Sequence, residues 1–193
     1  TSGTRIRYPA VAALAAVGKA SVSVFRKPRV AILPTGDELI SINQQPLPFQ
    51  VRNSNAHSLA AQVARAGGEP SLLPAARDEW EATRTAIAQG LEADLLLLSG
   101  GVSAGKYDIV EKVLASLGAE FFFDRVLIQP GKPLVFGRAK GKFFFGLPGN
   151  PVSTMVTFEL FARAALELLG GQAEPSLPLL WTHLDGELRH SPG

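Results

Sequence analysis

From residue 29 onward, short apolar runs alternate with longer segments of helical period. Arg29-Val-Ala-Ile-Leu33 reads as a buried strand, followed by the turn Pro34-Thr-Gly-Asp37. Asn55, a residue type suited to capping, can open a helix that runs to about Ala66 and stops at Gly67-Gly68. Ser71-Leu-Leu73 is a short strand, and Asp78 precedes a helical segment from Glu79 to Leu91. Asp94-Leu-Leu-Leu-Leu98 is continuously apolar, as strands covered on both faces of a parallel sheet are. The loop Ser99–Tyr107 follows, and Asp108 with Glu111 has the D-x-x-E form of a capped helix start. That helix ends at Gly118, and Glu120 to Gln129 reads as a strand. Pro133–Phe136 and Lys142–Phe145 flank a Gly-containing turn and read as a hairpin. Asn150 and Pro151 then open a long amphipathic helix to Leu169, with Gly170-Gly171 after its end.

This alternation predicts an α/β fold, a three-layer α/β/α sandwich on a mixed, mostly parallel sheet spanning residues 29–171. The flanks read differently. Residues 1–28 carry a helix at about 9–17 and a short strand from Ala20 to Phe25, ending at the Lys27-Pro28 break. In the segment 175–193, Leu179-Leu-Trp-Thr-His-Leu184 resembles the first strand of a truncated β domain. The chain lacks an initiator Met, so it is expected to be a piece of a longer polypeptide.

Composition narrows the function classes. With 46% hydrophobic and 19% charged residues the chain can bury a core. A net charge of +2 without a Lys/Arg run argues against nucleic-acid binding. The absence of Cys excludes disulfides, thiolate metal sites and a Cys nucleophile, and the 3 His are too scattered for zinc. No apolar run suggests a membrane span, and the faintly signal-like Arg5–Ala20 reads better as a short helix with a glycine stop.

In open α/β sheets, ligands bind beyond the carboxyl ends of the strands. Three loops fall there: Leu33–Leu39, Ser99–Asp108 and Leu147–Ser153. Their glycines let backbone N–H groups approach a ligand, and two of the loops run into helix N-termini, which suits phosphate or another oxyanion. Gly100 to Lys106 fits G-x-x-x-x-G-K, but Tyr107 stands where a P-loop needs Ser or Thr for Mg²⁺, so a nucleoside triphosphatase is a near miss. Asp37, Glu38, Asp78 and Asp108 decorate the same edge, and carboxylates beside phosphates point to a hard cation such as Mg²⁺; helix capping by Asp78 and Asp108 is the plainer alternative. Arg125 and Lys132 supply positive charge, and Lys132, between Gly131 and Pro133, is well placed to meet an anion.

Thr35-Gly-Asp-Glu-Leu39, Arg52-Asn-Ser-Asn55, Ser99-Gly-Gly-Val-Ser103 with Gly105 and Tyr107-Asp108, Pro130-Gly-Lys-Pro133 and Leu147-Pro-Gly-Asn-Pro-Val-Ser153 occur in that order. As a set they resemble the molybdopterin molybdenumtransferases, the MoeA/gephyrin family. The resemblance implies a cytoplasmic homodimer in which adenylylated molybdopterin and molybdate react, with Mg²⁺, to give molybdenum cofactor and AMP. It implies catalytic roles for Asp37, Asp78 and Asp108, the last two also as Mg²⁺ ligands. Ser103, Lys132 and Ser153 would line the molybdate site. Gly100, Gly101 and Val102, with Pro148, Gly149, Asn150 and Pro151, would hold pterin and phosphate, joined by Thr35, Gly36 and Glu38. Two positions depart from the common pattern: Gln129 stands where many members have Lys, and Asn53 where many have Asp. A molybdopterin adenylyltransferase of the same fold is a rival, although its loop usually reads Ser-Gly-Gly-Thr-Gly. A gephyrin-like scaffold module is another.

Overall fold

The computed structural model describes residues 2–100, 109–175, 177 and 179–187. Strand β1 (Arg29–Pro34) pairs in parallel with β4 (Glu69–Leu72) on one side and β5 (Leu95–Ser99) on the other. β5 pairs in parallel with β8 (Lys142–Leu147), and the antiparallel β7 (Val135–Ala139) and β6 (Glu120–Phe123) complete the order β4-β1-β5-β8-β7-β6. A separate parallel pair, β2 (Leu39–Ile40) and β3 (Val51–Arg52), precedes helix α2 (Ser54–Arg65). The sheet is therefore mixed and mostly parallel, as the sequence predicts.

Strand periodicity of two separates the core into two halves. Val30, Ile32, Leu95 and Leu97 face one side, where α2 and the last helix contribute Leu59, Val63, Phe158 and Leu166. Ala31, Leu33, Leu96 and Leu98 face the other, against Ile87 of α3 (Trp80–Gly90) and Val110, Val113 and Leu114 of α4 (Ile109–Ser116). Helices on both faces make the three layers.

The last helix is interrupted. Its parts are α5 (Pro151–Thr157), a π-helical segment (Phe158–Ala162) and α6 (Arg163–Leu169). Thr154, Phe158, Ala162 and Leu166 recur every fourth residue and are all buried. In a regular α-helix that spacing drifts by about 40° per step. The wider π turn counters the drift and keeps all four on the sheet.

Four local expectations are corrected. Asn53, not Asn55, caps α2, its side chain accepting the Ala56 N–H at 3.1 Å from a non-helical backbone; Asn55 is already inside the first turn. β6 ends at Phe123 rather than Gln129, because the chain curls back so that Val126 N–H reaches Lys132 O at 3.0 Å, and Pro130 and Pro133 have no N–H for a ladder. Arg125 consequently lies off the strand and pairs with its neighbour Asp124 at 3.1 Å. Ala20–Phe25 and Leu179–Leu184 form no strand, lacking a ladder partner among the described residues.

The amino-terminal segment is nonetheless anchored. Helix α1 (Tyr8–Ala16) buries no residue, but Phe25 packs against Gly171, where an added Cβ would overlap its ring. Arg26 grips Asp94 through both guanidinium nitrogens at 2.5 and 2.7 Å, while Arg29 N–H reaches the same carboxylate at 2.8 Å. These contacts hold the segment at the edge where β1 and β5 begin.

Candidate active site

The geometry of the opposite edge follows from strand register. Pro34, Ser99 and Leu147 end β1, β5 and β8 side by side. The turns beyond them stay coupled: Thr35 N–H donates to Ser99 O at 3.0 Å, Gly36 N–H to Ala76 O at 3.3 Å, and Gly100 N–H to Leu147 O at 3.3 Å. Gly100 has φ +88°, and a Cβ there would stand 2.6 Å from Thr35 O. A Cβ on Gly149 would meet only Gly100 Cα, at 3.8 Å. The three predicted loops thus meet, two of them through glycine.

Helix α5 begins at this junction. The Asn150 side chain accepts from Val152 N–H and Ser153 N–H at 3.0 and 3.2 Å, and Thr154 Oγ1 bonds back to the Pro148 and Asn150 carbonyls. Ser153 is buried, its Oγ 3.5 Å from Asn150 Oδ1. One turn further on, Thr157 Cγ2 would touch a Cβ added to Gly131, so the loop carrying Lys132 packs against α5. Lys132 itself is exposed and makes no ion pair among the described residues.

The acidic side of the edge is built by the β1 turn. Asp37 Oδ1 accepts the Asp78 N–H at 3.1 Å, and Thr35 bridges to Ala76, so Asp78 is held beside that turn. α3 starts after Glu79 without a side-chain cap, which leaves the Asp78 carboxylate uncommitted to capping. Glu38 folds over Gly36, where an added Cβ would lie 2.6 Å from its carboxylate oxygens. The Asp78 carboxyl is raised above the ordinary aspartate range, first by loss of hydration and then by the charges of Asp37 and Glu38. Among the described residues no three carboxylates or histidines stand close enough to form a closed metal cage.

Of the other expected site residues, Gly101, Val102, Ser103 and Asp108 lie outside the described residues. One contributor was missed in the sequence. Asn55 Nδ2 donates to Ser99 Oγ at 3.1 Å and to Gly149 O at 2.8 Å, joining α2 to two of the turns. The signal was available: Arg52-Asn-Ser-Asn55 offers two asparagines where one cap suffices. A groove of about 860 Å³ lies elsewhere, between the amino-terminal segment and the end of α6, and none of the motif residues lines it.

A family model described as "Probable molybdopterin binding domain" matches residues 31–168, a span that contains the turns just described and all of the sheet except the first two residues of β1. The chain belongs to the molybdopterin-binding domain family. Within reach of that family it is 39% identical to the molybdopterin molybdenumtransferase of Nostoc sp. (strain PCC 7120), over 100% of this chain and 45% of the relative. It is 38% identical to the enzyme of that name from Bacillus subtilis (strain 168), over 86% of this chain and 39% of the relative. Among solved structures, a molybdopterin biosynthesis moea protein from Pyrococcus horikosii superposes with a TM-score of 0.79 at 34% identity, over 90% of this chain and 43% of the other. The chain therefore spans under half the length of these molybdenumtransferase relatives. Molybdenum cofactor biosynthesis protein B superposes with a TM-score of 0.55 at 15% identity, a likeness of fold alone. Among the described residues no helix is long and apolar enough to cross a membrane.

Proposed function

We propose that this chain is the molybdopterin-binding part of a molybdopterin molybdenumtransferase, which inserts molybdate into adenylylated molybdopterin and releases AMP. The observation that carries the proposal is the junction of the Gly100 and Gly149 turns at the start of α5, with the Asp37–Asp78 pair at the neighbouring strand end. Backbone N–H groups and a helix N-terminus suit the anionic parts of both substrates, and carboxylates suit the cation that accompanies phosphates.

Lys132 supplies the positive charge for molybdate, and Ser103 and Ser153 supply hydroxyl donors. The turns at Gly100, Gly101 and Val102 and at Pro148–Pro151, with Thr35, Gly36 and Glu38, hold pterin and phosphate. Mg²⁺ commonly takes one or two protein carboxylates and fills its remaining positions with phosphate oxygens and water. Asp78 fits that pattern, since its carboxyl is raised by lost hydration and then by the charges of Asp37 and Glu38, and a cation would relieve that repulsion. Asp78 and Asp108 are the proposed ligands, with Asp37 orienting Asp78 through its N–H. When bound, the ion would neutralise phosphate charge as AMP departs. A cytoplasmic homodimer is part of the same proposal.

Incubating the full-length protein with adenylylated molybdopterin, molybdate and Mg²⁺ tests it. Molybdate-dependent AMP release is expected. Its absence from folded, full-length protein overturns the proposal.

A further inference from the structure

Asn55 belongs to no role assigned above, yet it is the side chain that spans the candidate site. It stands in the first turn of α2 and sends both amide hydrogens across the strand ends, to Ser99 Oγ at 3.1 Å and Gly149 O at 2.8 Å. Flipping the amide would set its oxygen against the Gly149 carbonyl, so the donor assignment is fixed by chemistry. Asn55 Oδ1 is buried and unpartnered among the described residues, as is Thr35 Oγ1. Leaving such an atom unpaired costs stability, so a Leu or Met that merely filled the space would serve packing better. The capping function in this segment is already met by Asn53. What the amide at position 55 adds is a tie between two turns that otherwise touch only through glycine and the bond from Gly100 N–H to Leu147 O.

We infer that Asn55 is a positioning residue, which fixes the spacing of the Ser99–Gly100 and Pro148–Gly149 turns and so aligns the donors that act on the transferred anion. This inference rests on the proposed transferase activity for its kinetic consequence, but its structural core does not. Gly100 and Gly149 lack side chains to interlock, so beyond the bond from Gly100 N–H to Leu147 O, it is a side chain from a third element that registers them. Ser99 belongs to the same device, because its hydroxyl receives one of the two donations.

The test compares Asn55→Asp, Asn55→Gln and Ser99→Ala in the full-length protein. Asn55→Asp keeps shape but turns the donation to the Gly149 carbonyl into a repulsion and leaves the Ser99 hydroxyl only the role of donor, Asn55→Gln keeps the donors on a longer arm, and Ser99→Ala removes one acceptor. Hydrogen exchange at the Gly100 amide reads the structural core without any substrate. Exchange there should rise about tenfold in Asn55→Asp while amides in β1 and β5 keep their protection. For turnover, kcat for AMP release should fall by roughly tenfold to a hundredfold in Asn55→Asp with KM for adenylylated molybdopterin little changed, because a misplaced donor weakens the reaction more than remote binding. Asn55→Gln should recover part of the loss, and Ser99→Ala combined with Asn55→Asp should be no worse than Asn55→Asp alone. Unchanged exchange at Gly100 overturns the inference whatever the turnover. A rise in KM with kcat preserved also overturns it, since Asn55 would then be an ordinary binding contact. Faster exchange in a protein whose wild type releases no AMP supports the positioning role and sinks the transferase proposal instead.

Discussion

The Asp37 carboxylate accepts the backbone N–H of Asp78 at 3.1 Å, so an acidic side chain 41 positions upstream fixes where a second one stands. With the bridge from Thr35 to Ala76, that bond gathers like charge at the end of β1. The consequence is visible in the Asp78 carboxyl, raised by lost hydration and then by Asp37 and Glu38.

A carboxyl raised in the folded state binds its proton more tightly there than in the unfolded chain. Stability contributed at Asp78 is thus highest below its unfolded value and is lost as pH rises through the folded one. Asp78→Asn should accordingly melt at or above the wild-type temperature at pH 7, with the advantage vanishing near pH 4, while AMP release is abolished. Thermal melts across that range check it, and a mutant less stable than wild type at pH 7 would refute the repulsion.

If Asp78 helps to hold Mg²⁺, the ion must stabilise the folded protein. At a concentration ten times its dissociation constant the gain is about 1.4 kcal/mol. Adding Mg²⁺ at pH 7 should therefore raise the melting temperature of the wild type but not of Asp78→Asn. An equal rise in both proteins places the ion elsewhere.

Lys132→Ala should weaken molybdate binding by about 2 kcal/mol, the worth of a charge-assisted hydrogen bond. Gln129→Lys should strengthen it, because it adds a second cation to the same loop. Calorimetric titration of molybdate decides the matter. Unaltered affinity in Lys132→Ala moves the anion site away from this loop.

Gly100 and Gly149 should respond differently to the same methyl group. Gly100→Ala drives a Cβ to 2.6 Å from Thr35 O at φ +88°, so both the clash and the backbone oppose it. The left-handed conformation alone costs an L-residue about 1–2 kcal/mol, and the melting temperature should fall accordingly. Gly149→Ala meets only Gly100 Cα at an ordinary 3.8 Å and should fold normally. Its loss should appear in turnover, as a methyl placed between the two turns. A Gly149→Ala variant with full kcat would show that the junction is not where the substrate sits.

At the other edge, Arg26 and the Arg29 N–H hold the Asp94 carboxyl well below the usual carboxylate range, against the opposing effect of its burial. A depressed carboxyl stabilises above its unfolded value and loses that contribution as pH falls through the folded one. The carboxylate is covered, but Arg26 is 67% exposed, so solvent screens the pair. Arg26→Ala should lower stability at pH 7, and the loss should shrink in acid. Chemical denaturation at the two pH values measures it.

The sequence exposed the central strands because β1 and β5 are buried apolar runs, and it exposed the three turns because glycine and proline mark them, whereas the two-residue strands β2 and β3 left no such signal. Asp94–Leu98 predicted β5, observed at Leu95–Ser99, and Asn150-Pro151 predicted the start of the last helix. What stayed hidden depends on partners distant in the chain. Asn55 contacts residues 44 and 94 positions away, and no local pattern distinguishes such a side chain from a cap. Ala20–Phe25 has strand-like composition, but a strand exists only with a neighbour to bond. The π turn reflects the four-residue spacing of Thr154, Phe158, Ala162 and Leu166, which is legible once one asks which helix that period fits.

The ladder stops at Pro34, Ser99 and Leu147, and the candidate site begins one residue later. Side chains that make the sheet and side chains of the candidate site are therefore almost disjoint sets. A lineage could exchange those turn residues whose side chains reach solvent one by one, acquiring another ligand or none, while Gly100, with φ +88° and Thr35 O beside it, stayed fixed by the fold. Loss of catalysis through such exposed positions need not lower the melting temperature; it would have to be sought in the chemistry of a few turns.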